Sequence, residues 1–219
     1  MRVCGVILAA GESSRMGRDK TLLPWPPAAA GEPAEAATNA ASGKTLLSAA
    51  IEALKPVTDA VVVVTGKNTD NLAPIIDACG ASMVRNPAPE RGQFSSLQAG
   101  LREALVRGCD AAMITPVDCP PLSAATLERL RAEFEQAIAR GRWGVEPEHH
   151  GQHGHPLVAG RELIDAFLQA PASGNAREIK HAHDNLIDSI SVPDALVRVD
   201  VNTPEEYAAL AGRTDKQVD

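Results

Sequence analysis

The amino-acid sequence predicts an α/β protein, with a mostly parallel sheet and helices on both of its faces. Three observations carry this. Short β-branched runs alternate four times with longer segments of helical periodicity. The runs are apolar throughout rather than alternating, as strands covered on both faces are. The connections are a few residues long, which suits repeated strand–helix units.

The elements follow in order. Val3–Leu8 is a continuous apolar run ending in small residues and reads as a buried strand. In Thr45–Lys55, Leu47, Ala50, Ile51 and Leu54 fall on one helical stripe. Ala60–Thr65 (AVVVVT) is the plainest buried strand in the chain, and a helix of weaker pattern follows over Asn71–Ala78. Ala81–Val84 is a short strand. Ser95–Arg107 places Leu97, Leu101, Ala104 and Leu105 on one helical face, and Ala111–Thr115 is a strand. Ser123 can cap a helix whose Leu127, Leu130, Phe134, Ala137 and Ile138 share a face. The second half is less regular: His155–Ala159 reads as a strand, Arg161–Leu168 as a helix, Leu196–Val199 as a strand and Pro204–Leu210 as a final helix. No internal repeat is visible. We expect one domain over residues 1–212 and a frayed tail over 213–219.

One segment interrupts the rhythm. Pro26–Ser42 is rich in Ala and Pro and lacks a large apolar side chain, so it reads as an exposed insertion over residues 26–42 that adds nothing to a core.

Composition excludes several classes. Of 219 residues, 44% are hydrophobic and 22% charged, which is ordinary for a globular chain and argues against general disorder. Aromatics are 3%, so the core must be built from Ala, Val, Leu and Ile. The net charge of −7 opposes nonspecific binding to nucleic acid or an anionic membrane, yet leaves room for one nucleotide in a local positive pocket. The cysteines (Cys4, Cys79, Cys109, Cys119) have no C-x-x-C spacing and read as reduced thiols. The N-terminal apolar run is too short for a signal sequence or a span, so we expect a cytoplasmic protein.

Chemistry concentrates in Leu8–Leu23 (LAAGESSRMGRDKTLL). A buried strand ends in small residues, and the following loop carries hydroxyls together with Arg15, Arg18 and Lys20. Ligands bind at the carboxyl ends of strands in open α/β sheets. Small residues let backbone N–H groups approach an anion, Arg15 offers a planar fork for phosphate oxygens and Lys20 a point charge. A basic surface turn is the alternative, and the strand context favours the phosphate site. The loop is not a Walker A, because Gly17 is followed by Arg18 and Asp19, and Thr38 stands where Gly43-Lys44-Thr45 would need a glycine. A dinucleotide fingerprint is also absent, which disfavours a dehydrogenase. Asp118 follows the strand Ala111–Thr115 and precedes Pro120-Pro121. A carboxylate there can hold a hard cation such as Mg²⁺, or serve as a turn residue.

The pattern L-A-A-G-x-S-S-R-M-G-x-x-K-x-L-L-P resembles the signature loop of the MobA-like NTP transferases. Four more segments agree, in order: Asn86–Leu101, Pro116–Leu122, Gly154-His155-Pro156 and Asp200–Glu206. The resemblance implies a Rossmann-like three-layer nucleotidyltransferase fold and Mg²⁺-dependent transfer of a nucleotide to a phosphorylated acceptor with loss of pyrophosphate. It implies Arg15, Lys20 and Asp118 as catalytic residues. Leu8, Ala9, Ala10, Gly11, Glu12 and Ser13, with Asn86, Gly92, Ser95 and Ser96, would contact the nucleotide, and His155 would line the acceptor pocket. Asp118 would ligate the metal with Asn202, which stands where the family usually has Asp; Asp200 is the fallback.

Ala9-Ala10-Gly11 is similar to the cytidylyl type, guanylyl members having L-A-G-G, so CTP and molybdopterin are the expected substrates. Rival readings are a sugar- or polyol-phosphate cytidylyl- or uridylyltransferase, a guanylyltransferase, and a nucleotide-binding module with degraded catalysis. No nucleic acid or membrane partner is expected, and a recipient molybdoenzyme or a second copy stays open. The run His149-His150-Gly151-Gln152-His153-Gly154-His155 invites a zinc reading, but glycine-rich histidine loops bind metals adventitiously, and a zinc site is not expected. His181 and His183 read as an exposed polar segment without a role.

Overall fold

A computed structural model describes residues 1–11, 16–27 and 43–211. In chain order its strands are β1 (Val3–Leu8), β2 (Ala60–Thr65), β3 (Ser82–Arg85), β4 (Ala111–Pro116), β5 (Gly144–His149), β6 (Gln152–His153), β7 (Leu157–Ala159) and β8 (Ile187–Ser191). Its helices are α1 (Leu46–Leu54), α2 (Thr69–Ala78), α3 (Gln93–Val106), α4 (Ala124–Ala139), α5 (Arg161–Gln169), α6 (Ala176–Ala182) and α7 (Pro204–Ala208). The strands form one sheet in the order β3-β2-β1-β4-β7-β5-β6, with β8 paired to β5.

β1 pairs in parallel with β2 and β4, and β2 with β3, while β7 runs antiparallel to both β4 and β5. The pleat sends alternate residues to opposite faces. Val3, Ile7, Val61, Val63 and Met113 meet Leu47, Ile51, Leu72, Ile76, Leu127 and Phe134 of α1, α2 and α4. Val6, Leu8, Val62, Val64 and Ile114 meet Phe94, Leu97 and Leu101 of α3 and Leu163 and Phe167 of α5. The mostly parallel sheet with helices on both faces is as the apolar runs predict. Gly100 shows how closely α3 sits: a Cβ there would lie 2.6 Å from a Val6 methyl.

Three sequence expectations change. Leu196–Val199 is not a strand: Ala195–Arg198 is a 3₁₀ turn, because the Asp194 carboxylate accepts from Leu196 N and the chain closes through Val199 N to Leu196 O. Its apolar residues are nevertheless buried, Leu196 and Val197 included. His155–Ala159 shortens to β7. His183 is half-buried and stacks on Trp143 at a centroid distance of 4.7 Å, so it is not a bare surface residue. Strands β5, β6 and β8 and helix α6 went unread in the sequence. The tail over 213–219 and all but two residues of the 26–42 insertion lie outside the described residues; of those two, Pro26 is exposed and Pro27 is buried. No helix among the described residues is long and apolar enough to cross a membrane.

Candidate active site

The chain leaves β1 toward β2 on one side and reaches β4 on the other, so the strand order reverses between β1 and β4. A crevice at the carboxyl ends of such a pair is where open α/β sheets hold ligands. Leu8 and Ala9 are buried there, Ala9 N donating to Val64 O at 2.8 Å. Ala10 packs on Gly66 after β2, and a Cβ on Gly66 would lie 2.8 Å from Ala10 O. Gly11 is exposed and faces open space. Glu12, Ser13 and Arg15 lie outside the described residues.

Asp19 fixes the turn that follows. Its Oδ1 accepts from Thr21 N and Thr21 Oγ1, capping the 3₁₀ turn Lys20–Leu22. Its Oδ2 accepts from Asn68 Nδ2 at 2.9 Å, and the same amide nitrogen donates to Ala9 O. Asp19 and Asn68 thus clamp the loop after β1 to the loop after β2, a contact that sequence reading missed because the two stand 49 positions apart.

The clamp aims Lys20. Its side chain is 10% exposed, and Nζ donates to Asp118 Oδ2 at 3.1 Å and to Asn202 Oδ1 at 2.9 Å. Asp118 sits just beyond β4, and its carbonyl accepts from Val201 N, which ties the segment before α7 to the crevice. A capping box of Thr203 and Glu206 starts α7 and sets that segment's end. Three distant stretches therefore bring Lys20, Asp118 and Asn202 together.

Asp200 joins them. One ligand atom from each of Asp118, Cys119 and Asp200 lies within 4.8 Å of the others. Cys119 Sγ donates to Asp200 Oδ1 at 3.2 Å, and burial, reinforced by Asp200 and Asp118, pushes its thiol well above the usual range. The donors suited to a hard divalent cation are thus the two carboxylates, which prefer such ions, whereas the protonated thiol is a poor ligand. The chemistry of the two carboxylates fits Mg²⁺ or a similar ion; Asn202 stands beside them, its amide oxygen accepting from Lys20.

His155 reaches the same crevice from the start of β7. Its N–H donates to Val197 O at 2.8 Å, and the preceding Gly154 is forced, since a Cβ there would lie 1.9 Å from Val197 O. Burial pushes its imidazole below the ordinary value, with Asp200 and Asp118 acting the other way, and its enclosed Nδ1 has no hydrogen-bond partner. The other histidines of the run have separate partners: His149 Nδ1 meets Val192 O, and His153 Nδ1 meets Glu146.

Beyond β3, Asn86 is buried and engaged. Its Nδ2 donates to Ser95 Oγ and Ser96 Oγ at 2.8 and 2.9 Å, its Oδ1 accepts from Ala88 N, and Ser95 Oγ donates to Gly92 O. Gly92 has φ +97°, a conformation that favours glycine, at the start of α3. These five residues form one knot that shapes the loop, so what the loop can offer a ligand is chiefly its backbone.

A family model described as MobA-like NTP transferase domain matches residues 5–186. Over 203 residues the chain is 24% identical to the molybdenum cofactor cytidylyltransferase of Escherichia coli K12, covering 92% of each chain. Over 209 residues it is 28% identical to the molybdenum cofactor guanylyltransferase of Xanthomonas euvesicatoria, covering 94% of this chain and 93% of that one. Among solved structures, a nucleotidyl transferase from Methanothermobacter thermautotroptrophicus has a TM-score of 0.72 at 21% identity, with 98% of each chain covered. Rv0371c from Mycobacterium tuberculosis, in a complex with manganese, has a TM-score of 0.68 at 20% identity, covering 96% of this chain and 98% of that one. The family match spans most of the chain and agrees with the crevice and its fold: the chain belongs to the MobA-like NTP transferase domain family and is a nucleotidyltransferase.

Proposed function

We propose that the chain transfers a cytidylyl group from CTP to the phosphate of molybdopterin, with release of pyrophosphate. The observation that carries the reaction class is the meeting of Lys20, Asp118 and Asn202 at the reversal point of the sheet. An acceptor phosphate oxygen attacks the α-phosphorus, the bond to the bridging oxygen breaks, and pyrophosphate leaves with that electron pair. Charge grows on the phosphoryl oxygens, so catalysis is positioning and electrostatic stabilisation. Backbone N–H groups of Ala10–Ser13 bind the triphosphate, Arg15 and Lys20 neutralise it, and the backbone of the Asn86–Ser96 loop faces the nucleoside. Asp118 and Asp200 would hold Mg²⁺, which supplies Lewis-acid neutralisation of the phosphates when bound. His155 lines the acceptor side.

The choice of CTP rests on Ala10. Its Cβ, packed beside Gly66, would narrow a base slot at the loop, and a narrow slot suits a single-ring base. The cytidylyl- and guanylyltransferase relatives leave both bases in play, so melting in the presence of each nucleotide decides. CTP with Mg²⁺ at about a hundred times its dissociation constant should stabilise the protein by roughly 2.7 kcal/mol. Equal or larger stabilisation by GTP would reverse the base assignment and leave the reaction class intact.

A further inference from the structure

Asn68 stands where α2 begins, as the cap residue of that helix. An asparagine there ordinarily turns its side chain back to accept from the first helical turn. Asn68 makes no such bond. Its side chain points into the crevice instead. Oδ1 accepts from Gly66 N at 3.1 Å, and Nδ2 donates to Ala9 O at 3.1 Å and to Asp19 Oδ2 at 2.9 Å. One amide therefore joins the end of β1, the loop after it and the loop after β2.

The two ends of this link carry different duties. At one end Gly66 packs on Ala10: a Cβ on Gly66 would lie 3.3 Å from that of Ala10, the group that would narrow the base slot. At the other end Asp19 caps the turn that begins with Lys20, accepting from Thr21 N and Thr21 Oγ1. The residue type is demanding. A short side chain must offer one acceptor and two donor hydrogens, which asparagine alone does. Aspartate would set a second carboxylate against Asp19 and Ala9 O, and serine has a single donor hydrogen for the two of them.

We propose that Asn68 makes the place of Lys20 depend on the fit of the base, so that a base too large for the slot is rejected in the transfer step as well as in binding. On the cytidylyl-transfer reading above, on which this rests, a two-ring base presses on Ala10 and so on Gly66. Gly66 N is held by Asn68, the same amide holds Asp19, and Asp19 sets the turn that aims Lys20 at Asp118. A misplacement of about 1 Å at a reacting group can lower a rate on the order of a hundredfold. Asn68 is thus a positioning residue that acts through Lys20.

The test compares kcat and KM for CTP and for GTP, with Mg²⁺ and molybdopterin, in the unmodified protein and in Asn68→Ser. Serine can cap α2, so this variant should melt within a few degrees of the unmodified protein. In the unmodified protein kcat should be higher with CTP than with GTP. In Asn68→Ser, kcat with CTP should fall about tenfold or more, while KM for CTP and the melting shift that CTP gives change little. With GTP, kcat should fall less than about threefold, because the misfit has already displaced what the link would hold. Should Asn68→Ser not fold, Asn68→Asp carries the same comparison, and adding Asp19→Asn to it should recover part of the lost kcat by setting a donor against an acceptor again. Equal losses with the two nucleotides, or an unchanged kcat with CTP, overturn the proposal and leave the choice of CTP standing. Equal kcat for both nucleotides in the unmodified protein overturns it as well. A preference for GTP in the unmodified protein removes the base reading and the coupling with it, and transfer of neither nucleotide removes the reaction reading too.

Discussion

Lys20 and Asp118, 98 positions apart, meet with Nζ 3.1 Å from Oδ2 where β1 and β4 end. Neither element places them alone. Lys20 owes its position to the Asp19–Asn68 clamp, and Asp118 to its backbone bond with Val201. Asn202 gives the ammonium a second oxygen at 2.9 Å. The ammonium is therefore held in place by two oxygens, the preorganisation that the proposed transfer would require of a charge aimed at phosphate.

Three glycines test how tightly this crevice is framed. Gly154→Ala drives a Cβ onto Val197 O, so a loss of about 1–3 kcal/mol or more is expected, read as a melting point lower by several degrees. Gly66→Ala presses on Ala10 O and should raise the KM for CTP as well as lower the melting point. Gly11→Ala meets nothing within 4 Å and should stay within about 0.5 kcal/mol of the unmodified protein. Urea titration of the three ranks them.

The pH dependence follows from His155. Burial holds its folded value below the ordinary 6.5, so below that pH the unfolded chain binds a proton that the folded chain resists. Its contribution to stability is complete above 6.5 and is lost as pH falls through the window beneath it. His155→Gln should lose less stability than the unmodified protein between about pH 7 and pH 5. Parallel urea titrations at both values measure this, and identical slopes would contradict it.

Cysteine reactivity should divide along burial. Burial pushes Cys4 up to about 12 and holds Cys119 well above its ordinary value. Both are buried, as is Cys109, whereas Cys79 is half-buried. Iodoacetamide at mildly alkaline pH should label Cys79 first, as peptide mass mapping will show. Rapid labelling of Cys119 would mean that its segment opens.

Much of this was legible in the sequence, and the losses have physical causes. β1, β2 and β4 lie between two helical layers, so nearly every position is apolar and the runs announce themselves. β5 (GVEPEH) carries Glu146, Pro147, Glu148 and His149, and proline and acidic residues hide a strand. β8 (IDSIS) alternates over too few residues to stand out. Leu196 and Val197 are buried, but they were read as part of a strand, because the capping role of Asp194, which decides the 3₁₀ turn, lies in a side-chain geometry that periodicity does not record. Lys20 and Asp118 were legible as strand-end residues. Asp19 and Asn68 were not, since each takes its meaning from a partner far along the chain.

The most direct test of the central claim is pyrophosphate release from CTP and Mg²⁺ with molybdopterin as acceptor, by the unmodified protein, Lys20→Met and Asp118→Asn. Each variant should lose about a hundredfold or more in turnover, because each removes a charge aimed at the developing transition state. Each should also melt within a few degrees of the unmodified protein, and Mn²⁺ should restore part of the Asp118→Asn loss. Normal turnover by both variants would place the reacting centre elsewhere in the molecule.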